Sequence, residues 1–117
     1  MMMKAKQIIP TSGMHNSLAS GTTVKGNIFA EEDLRIDGKV EGNIECSGKI
    51  VVGPNAEILG QIVCLNAELM GKIQGNTQSN GVLCLKSSVQ YHGDIIANSL
   101  EIEPGAVFNG TCKMAKE

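Results

Sequence analysis

DGKVEGNIECSGKI, residues 37–50, carries two spacings at once. Val40, Ile44 and Ile50 alternate with charged residues as in a strand, yet a glycine interrupts every few positions. The interruption recurs along the chain. Aligned on the triplet V-x-G-x-I, the sequence gives Val24-Gly26-Ile28, Val40-Gly42-Ile44 and Ile58-Gly60-Ile62. Looser copies follow at Ile73-Gly75-Thr77, Tyr91-Gly93-Ile95 and Phe108-Gly110-Cys112. The central glycines lie 16, 18, 15, 18 and 17 residues apart.

Two further columns run in phase. Apolar pairs stand at Leu34/Ile36, Ile50/Val52, Ala67/Leu69, Leu83/Leu85 and Leu100/Ile102, each 7 or 8 residues after a central glycine. The gap from pair to next triplet is 4 or 6 residues, which accounts for the uneven period. Short gaps carry one glycine, Gly38 or Gly71; long gaps carry GPNA (53–56), KSSV (86–89) or EPGA (103–106). Four residues after each central glycine stand Ala30, Cys46, Cys64, Ser79, Ala97 and Met114. Strand alternation puts that column on the inward face, and its small members predict a crowded corner.

A period of 15–18 residues with short strands and a tight turn at each corner predicts an all-β chain, a parallel β-helix of about six coils. Parallel pairing between coils about 4.8 Å apart gives a rod of about 29 Å. A narrow coil must turn sharply, and glycine takes backbone angles that valine does not. The interior is filled by aliphatic ladders, which fits a chain with two Phe, one Tyr and no Trp. Fourteen glycines and many β-branched residues exclude a helical bundle.

Charge narrows the function. Residues 1–20 hold Lys4 and Lys6 and no acid; residues 21–117 hold eight bases and twelve acids. An acidic body almost without rings is a poor nucleic-acid platform. No run approaches the ~20 apolar residues of a membrane span, and the start lacks a secretory signal. The expectation is a cytoplasmic chain with reduced cysteines.

GTTVKGNI (21–28), DLRIDGKVEGNI (33–44), VVGPNAEILGQI (51–62) and LEIEPGAVFNGTCKM (100–114) together resemble the bactofilin family of bacterial cytoskeletal proteins. The specificity lies in the ordered set, since no single motif is distinctive. The match is loosest over 63–80, where the triplet ends in Thr77. The resemblance implies a right-handed, three-faced parallel β-helix that polymerises end to end without nucleotide. It also implies flexible tails, the N-terminal one reaching the inner face of the cytoplasmic membrane in many members. On this reading residues 1–20 are a tail, 21–114 the polymerisation domain and 115–117 a short C-terminal tail.

Open ends are the functional feature. Unpaired strand edges template further pairing unless covered, and soluble solenoids normally carry caps. Nine residues follow Phe108, and the first 20 are broken by Pro10, Ser12 and Gly13. Phe108 takes the inward place of the last copy, with another subunit's end, or a plugging role at the rod's bottom, as its two readings. The resemblance gives the motif Ala106-Val107-Phe108-x-Gly110 a part in assembly. Self-assembly residues are therefore expected to be Phe108, Val107 and Cys112 at one end, Val24 and Ile28 at the other. Phe29 alternates outward.

In the tail, Met1, Met2, Met3, Lys4, Lys6, Ile8 and Ile9 suit weak insertion at an anionic lipid surface, multiplied along a filament. The alternative is a tail whose apolar residues do nothing specific.

Other signals point away from chemistry. Cys46 and Cys64 stack as small core residues, without the further ligands of a zinc site. Cys84 is expected to face outward as the one exposed thiol. His15 and His92 have no nucleophile or carboxylate partner in register, and Glu31-Glu32-Asp33 reads as a solvated turn. Hexapeptide-repeat acyltransferases share a similar coil but need a catalytic histidine and usually a long loop, and this chain has no such loop. The expectation is no enzyme, no metal and no cofactor. It is a scaffold whose partners are itself, a membrane surface and client proteins such as wall-modifying enzymes, with an influence on cell shape through the last. The alternative is a non-polymerising β-helical adaptor that binds a partner through its N-terminal tail.

Overall fold

In a computed structural model, residues 15–114 are described. Fourteen strands make one continuous parallel sheet wound into a solenoid. Coil 1 comprises β1 (His15–Leu18), β2 (Thr23–Lys25) and β3 (Ile28–Ala30); coil 2 comprises β4 (Asp33–Ile36), β5 (Lys39–Glu41) and β6 (Ile44–Cys46). Then come β7 (Lys49–Val52), β8 (Glu57–Cys64), β9 (Asn66–Leu69), β10 (Lys72–Leu85), β11 (Gln90–His92), β12 (Ile95–Ile102), β13 (Val107–Asn109) and β14 (Cys112–Met114). Three of these run through corners, so six coils of three faces are built from fourteen strands.

The repeat columns are the register of the solenoid. On the first face Leu34, Ile50, Ala67, Leu83 and Leu100 stack in order. On the second, Val24, Val40, Ile58, Ile73, Tyr91 and Phe108 stack. On the third, Ile28, Ile44, Ile62, Thr77, Ile95 and Cys112 stack. Their middle members are buried and form one continuous core. The small column does face a crowded corner. There Cys46 Sγ donates to the Glu32 carbonyl at 3.2 Å and Ser79 Oγ to the Leu65 carbonyl at 2.9 Å.

The solenoid begins earlier than the sequence suggests. β1 lies inside the segment assigned to the tail and pairs with β4, Asn16 on Leu34 and Leu18 on Ile36. Asn16 holds the first place of the apolar pair, and its polarity hid the coil. The turn at 19–22 closes through Thr22 N–H to the Ala19 carbonyl, as the long turns close at Ala56, Val89 and Ala106. Residues 1–14, with every candidate membrane-contact residue, and residues 115–117 lie outside the described residues.

Thr77, where the repeat loosens, sits in a compensated site. Its hydroxyl lies 2.8 Å from the hydroxyl of Tyr91, one coil on, which also reaches the Asp94 carbonyl at 2.8 Å. The threonine is buried and satisfied by a ring long enough to reach it. Burial pushes the Tyr91 phenol up to about 12, so it remains a donor at neutral pH. Tyr91→Phe is expected to cost roughly 1–3 kcal/mol by leaving the Thr77 hydroxyl without this partner; adding Thr77→Val is expected to recover most of it, read by denaturant unfolding. Because the folded pKa is raised above the unfolded value near 10, this phenol's contribution is full below about pH 10. It is lost as pH rises towards 12, and Tyr91→Phe removes that alkaline dependence.

Candidate assembly interface

The candidate assembly surfaces are the two ends. Among the described residues nothing covers either one. At the N-terminal end, Leu18, Val24 and Ile28 hold inward positions that would be sealed by a preceding coil, and all three are only half-buried. With Phe29, Ala30 and Leu34 they line an apolar hollow of about 500 Å³, rimmed by Asn16, Glu31 and Glu32. At the C-terminal end, Ile102 takes the column of Leu85 but is 53% exposed, because no coil follows it among the described residues. Phe108 is half-buried, its ring 5.5 Å from that of Tyr91 at 46°. One face of the ring packs on the core and the ring remains open at the end.

The five expected residues thus divide. Val24 and Ile28 lie at one end, Phe108 and Cys112 at the other. Cys112 continues the column of Ile95, yet it is exposed because it is the last member among the described residues. Val107 stacks on Gln90 in an outward column, so it sits on the rim of the last coil rather than in the cross-section. Leu18, Ile102 and Met114 also belong to the ends, beyond the five expected residues; the sequence carries the signal for the last two, since the inward columns of the last described coil are end surface by construction.

Cys84 corrects the expectation of an exposed thiol. It stands in an outward place between Glu68 and Glu101, but its side chain is short and its neighbours long, and it is 7% exposed. Burial pushes its thiol up. Cys64 is pushed up to about 12 by burial first, then by neighbouring Cys46, against a hydrogen bond from Ser79. Neither arrangement activates a nucleophile. The accessible thiol is Cys112. Native protein that is not assembled is expected to show one fast alkylation per chain, at Cys112, and four after denaturation; fast labelling of Cys84 contradicts its burial.

Among the described residues no three His, Cys, Asp or Glu side chains converge as metal ligands, and no helix is long and apolar enough to cross a membrane. The sides carry exposed ion pairs, including Lys49–Glu68 at 2.7 Å and Lys39–Glu41 at 3.3 Å. Such pairs contribute little to stability. They keep two of the faces strongly hydrated.

Fold and ends together define a polymer-forming β-solenoid. Residues 16–113 match the sequence model of the family described as "Bactofilin: Polymer-forming cytoskeletal". The chain belongs to the bactofilin family. It is similar to bactofilin BacP of Myxococcus xanthus (strain DK1622), 28% identical over 114 residues, covering 97% of this chain and 48% of BacP. It is also similar to BacO of the same organism, 31% identical over 97 residues, covering 83% of this chain and 77% of BacO. The chain thus spans about half the length of BacP and most of BacO. Among solved structures it is similar to Thermus thermophilus bactofilin, known from a cryo-EM reconstruction of its double helical filaments. That match has a TM-score of 0.75 and 26% identity over 86% of this chain and 99% of the other.

Proposed function

We propose that this chain is the subunit of a cytoskeletal scaffold: rods join end to end without nucleotide into filaments on the inner face of the cytoplasmic membrane. The carrying observation is that inward columns built to be sealed by another coil, Val24 and Ile28 at one end, Phe108 and Ile102 at the other, are left half open. A second rod supplies the missing coil. The filaments of the Thermus relative support the same reading. Residues Met1, Met2, Met3, Lys4, Lys6, Ile8 and Ile9 supply the lipid contact. It is weak per copy and strong along a polymer. Client proteins, wall-modifying enzymes among them, are concentrated along the filament, and cell shape follows from where they act.

The test is sedimentation and negative-stain microscopy of purified protein without nucleotide, followed by flotation with anionic vesicles. Filaments that pellet, float with vesicles and stop floating when residues 1–14 are deleted are the expected result. A discrete small species in every condition removes the scaffold and leaves a β-helical adaptor.

A further inference from the structure

The hollow at the N-terminal end asks for more than a second rod. A rod stacked on coil 1 seals the inward columns of Leu18, Val24 and Ile28. Phe29 belongs to none of them: it alternates outward on the third face, lines the same hollow and is 63% exposed. A cover for Phe29 has to come round the corner beside it. That corner, at Glu31 and Glu32, is where the described chain enters the solenoid, because His15 stands on Asp33, the residue after them. Residues 1–14 therefore join the described chain on the rim of the hollow.

The sequence of that segment complements the hollow. Ile8, Ile9 and Pro10 are apolar, Lys4 and Lys6 are basic, and residues 1–14 hold no acid. The hollow is apolar, with Glu31 and Glu32 on its rim. Reach is ample. Ile9 lies six residues before His15, roughly 20 Å of extended chain, against about 10 Å for a face of three residues.

The same segment is barred from becoming a further coil. The period of 15–18 residues puts the corner glycine before Gly26 among positions 8–11, which read Ile-Ile-Pro-Thr. The corner glycines of the triplets take φ of 135° to 148°, a region closed to proline and strained for β-branched residues. Pro10 also lacks the N–H that a strand ladder uses. A segment apolar enough to fill the end, yet unable to carry the stack on, has the properties of a solenoid cap.

We propose that residues 4–10 occupy this hollow in the unassembled subunit and must leave it before another rod docks there. Ile8 and Ile9 lie against Val24, Ile28 and Phe29, and the two lysines lie at Glu31 and Glu32. This rests on the filament reading above. The N-terminal end is then gated, while the Phe108 end stays open. A joint that displaces a cap needs more protein to form, in proportion to the fraction of ends that are closed. Once displaced, the same residues are the ones assigned above to lipid.

Methyl NMR tests the cap directly. The Phe108→Arg variant, altered at the far end, is studied at a dilution where sedimentation velocity gives a single monomer. Adding Ile8→Asp and Ile9→Asp is expected to move the methyl signals of Leu18, Val24, Ile28 and Leu34 and to leave those of Ile102 in place. In chains that keep Phe108, the same two substitutions are expected to lower the concentration at which filaments pellet by about tenfold, the shift for ends closed ~90% of the time. Unmoved signals at the four N-terminal residues overturn the cap, whatever the filaments do. Moved signals with an unchanged pelleting threshold overturn the competition between cap and joint. Moved signals in a chain that forms no filaments, with or without the isoleucines, overturn the filament reading and leave the cap standing.

Discussion

Replacing Phe108 with arginine is expected to abolish filaments while the solenoid stays folded. The ring is half in the core and half at the open end, with Tyr91 5.5 Å away on its inner side. Arginine's aliphatic stem can lie along that tyrosine, and among the described residues the last coil has none beneath it to disturb. In the joint, the variant loses burial of a large ring and gains an unpaired charge where water is excluded. Those effects together amount to about 4 kcal/mol or more, on the order of a 1,000-fold rise in the concentration needed to assemble. Sedimentation reads the loss, circular dichroism the retained β-structure. Filaments persisting in a folded variant place the joint elsewhere. A useful companion is thiol labelling of assembled protein: Cys112 is expected to be shielded in wild-type filaments and open in this variant.

The second large effect concerns the glycine column. Gly60 has φ of 145°, and a Cβ built there lands on the carbonyl oxygen of Gly42 in the preceding coil. Gly42 stands in the same relation to Gly26, Gly75 to Gly60, Gly93 to Gly75 and Gly110 to Gly93. Gly60→Ala therefore combines backbone strain of about 1–3 kcal/mol with a collision against backbone held on both sides. The total is expected to exceed ~4 kcal/mol, a large part of the 5–15 kcal/mol that stabilises a typical domain. Gly26 provides the internal control. Its φ is 135°, yet a Cβ there meets nothing within 4 Å, because coil 1 has no predecessor among the described residues. Gly26→Ala is expected to cost only the strain. Equal thermal stability of the two variants contradicts the stacking account.

That column also explains how much the sequence reveals. Each coil brings its corner backbone against the last one, so glycine is obligatory there and the period stands out. Inward ladders are similarly constrained, and Val40, Ile58 and Ile73 announce themselves. Constraint fades where a coil lacks a neighbour or a side chain faces water. Asn16 holds a core column at the open end, where polarity costs less, and so concealed coil 1. Thr77 interrupts an aliphatic ladder that Tyr91 repairs from the next coil, a pairing visible only once register is known. Cys84 points outward as alternation requires, and its burial depends on the reach of its flanking side chains.

The central claim is that the solenoid axis is the filament axis, with one rod supplying the coil another lacks. Diffraction from oriented filaments, or the power spectrum of their electron micrographs, tests it most directly. Stacked coils predict a strong repeat of about 4.8 Å along the filament. A 4.8 Å repeat lying across the filament means that rods assemble side by side, and end-to-end joining is then wrong.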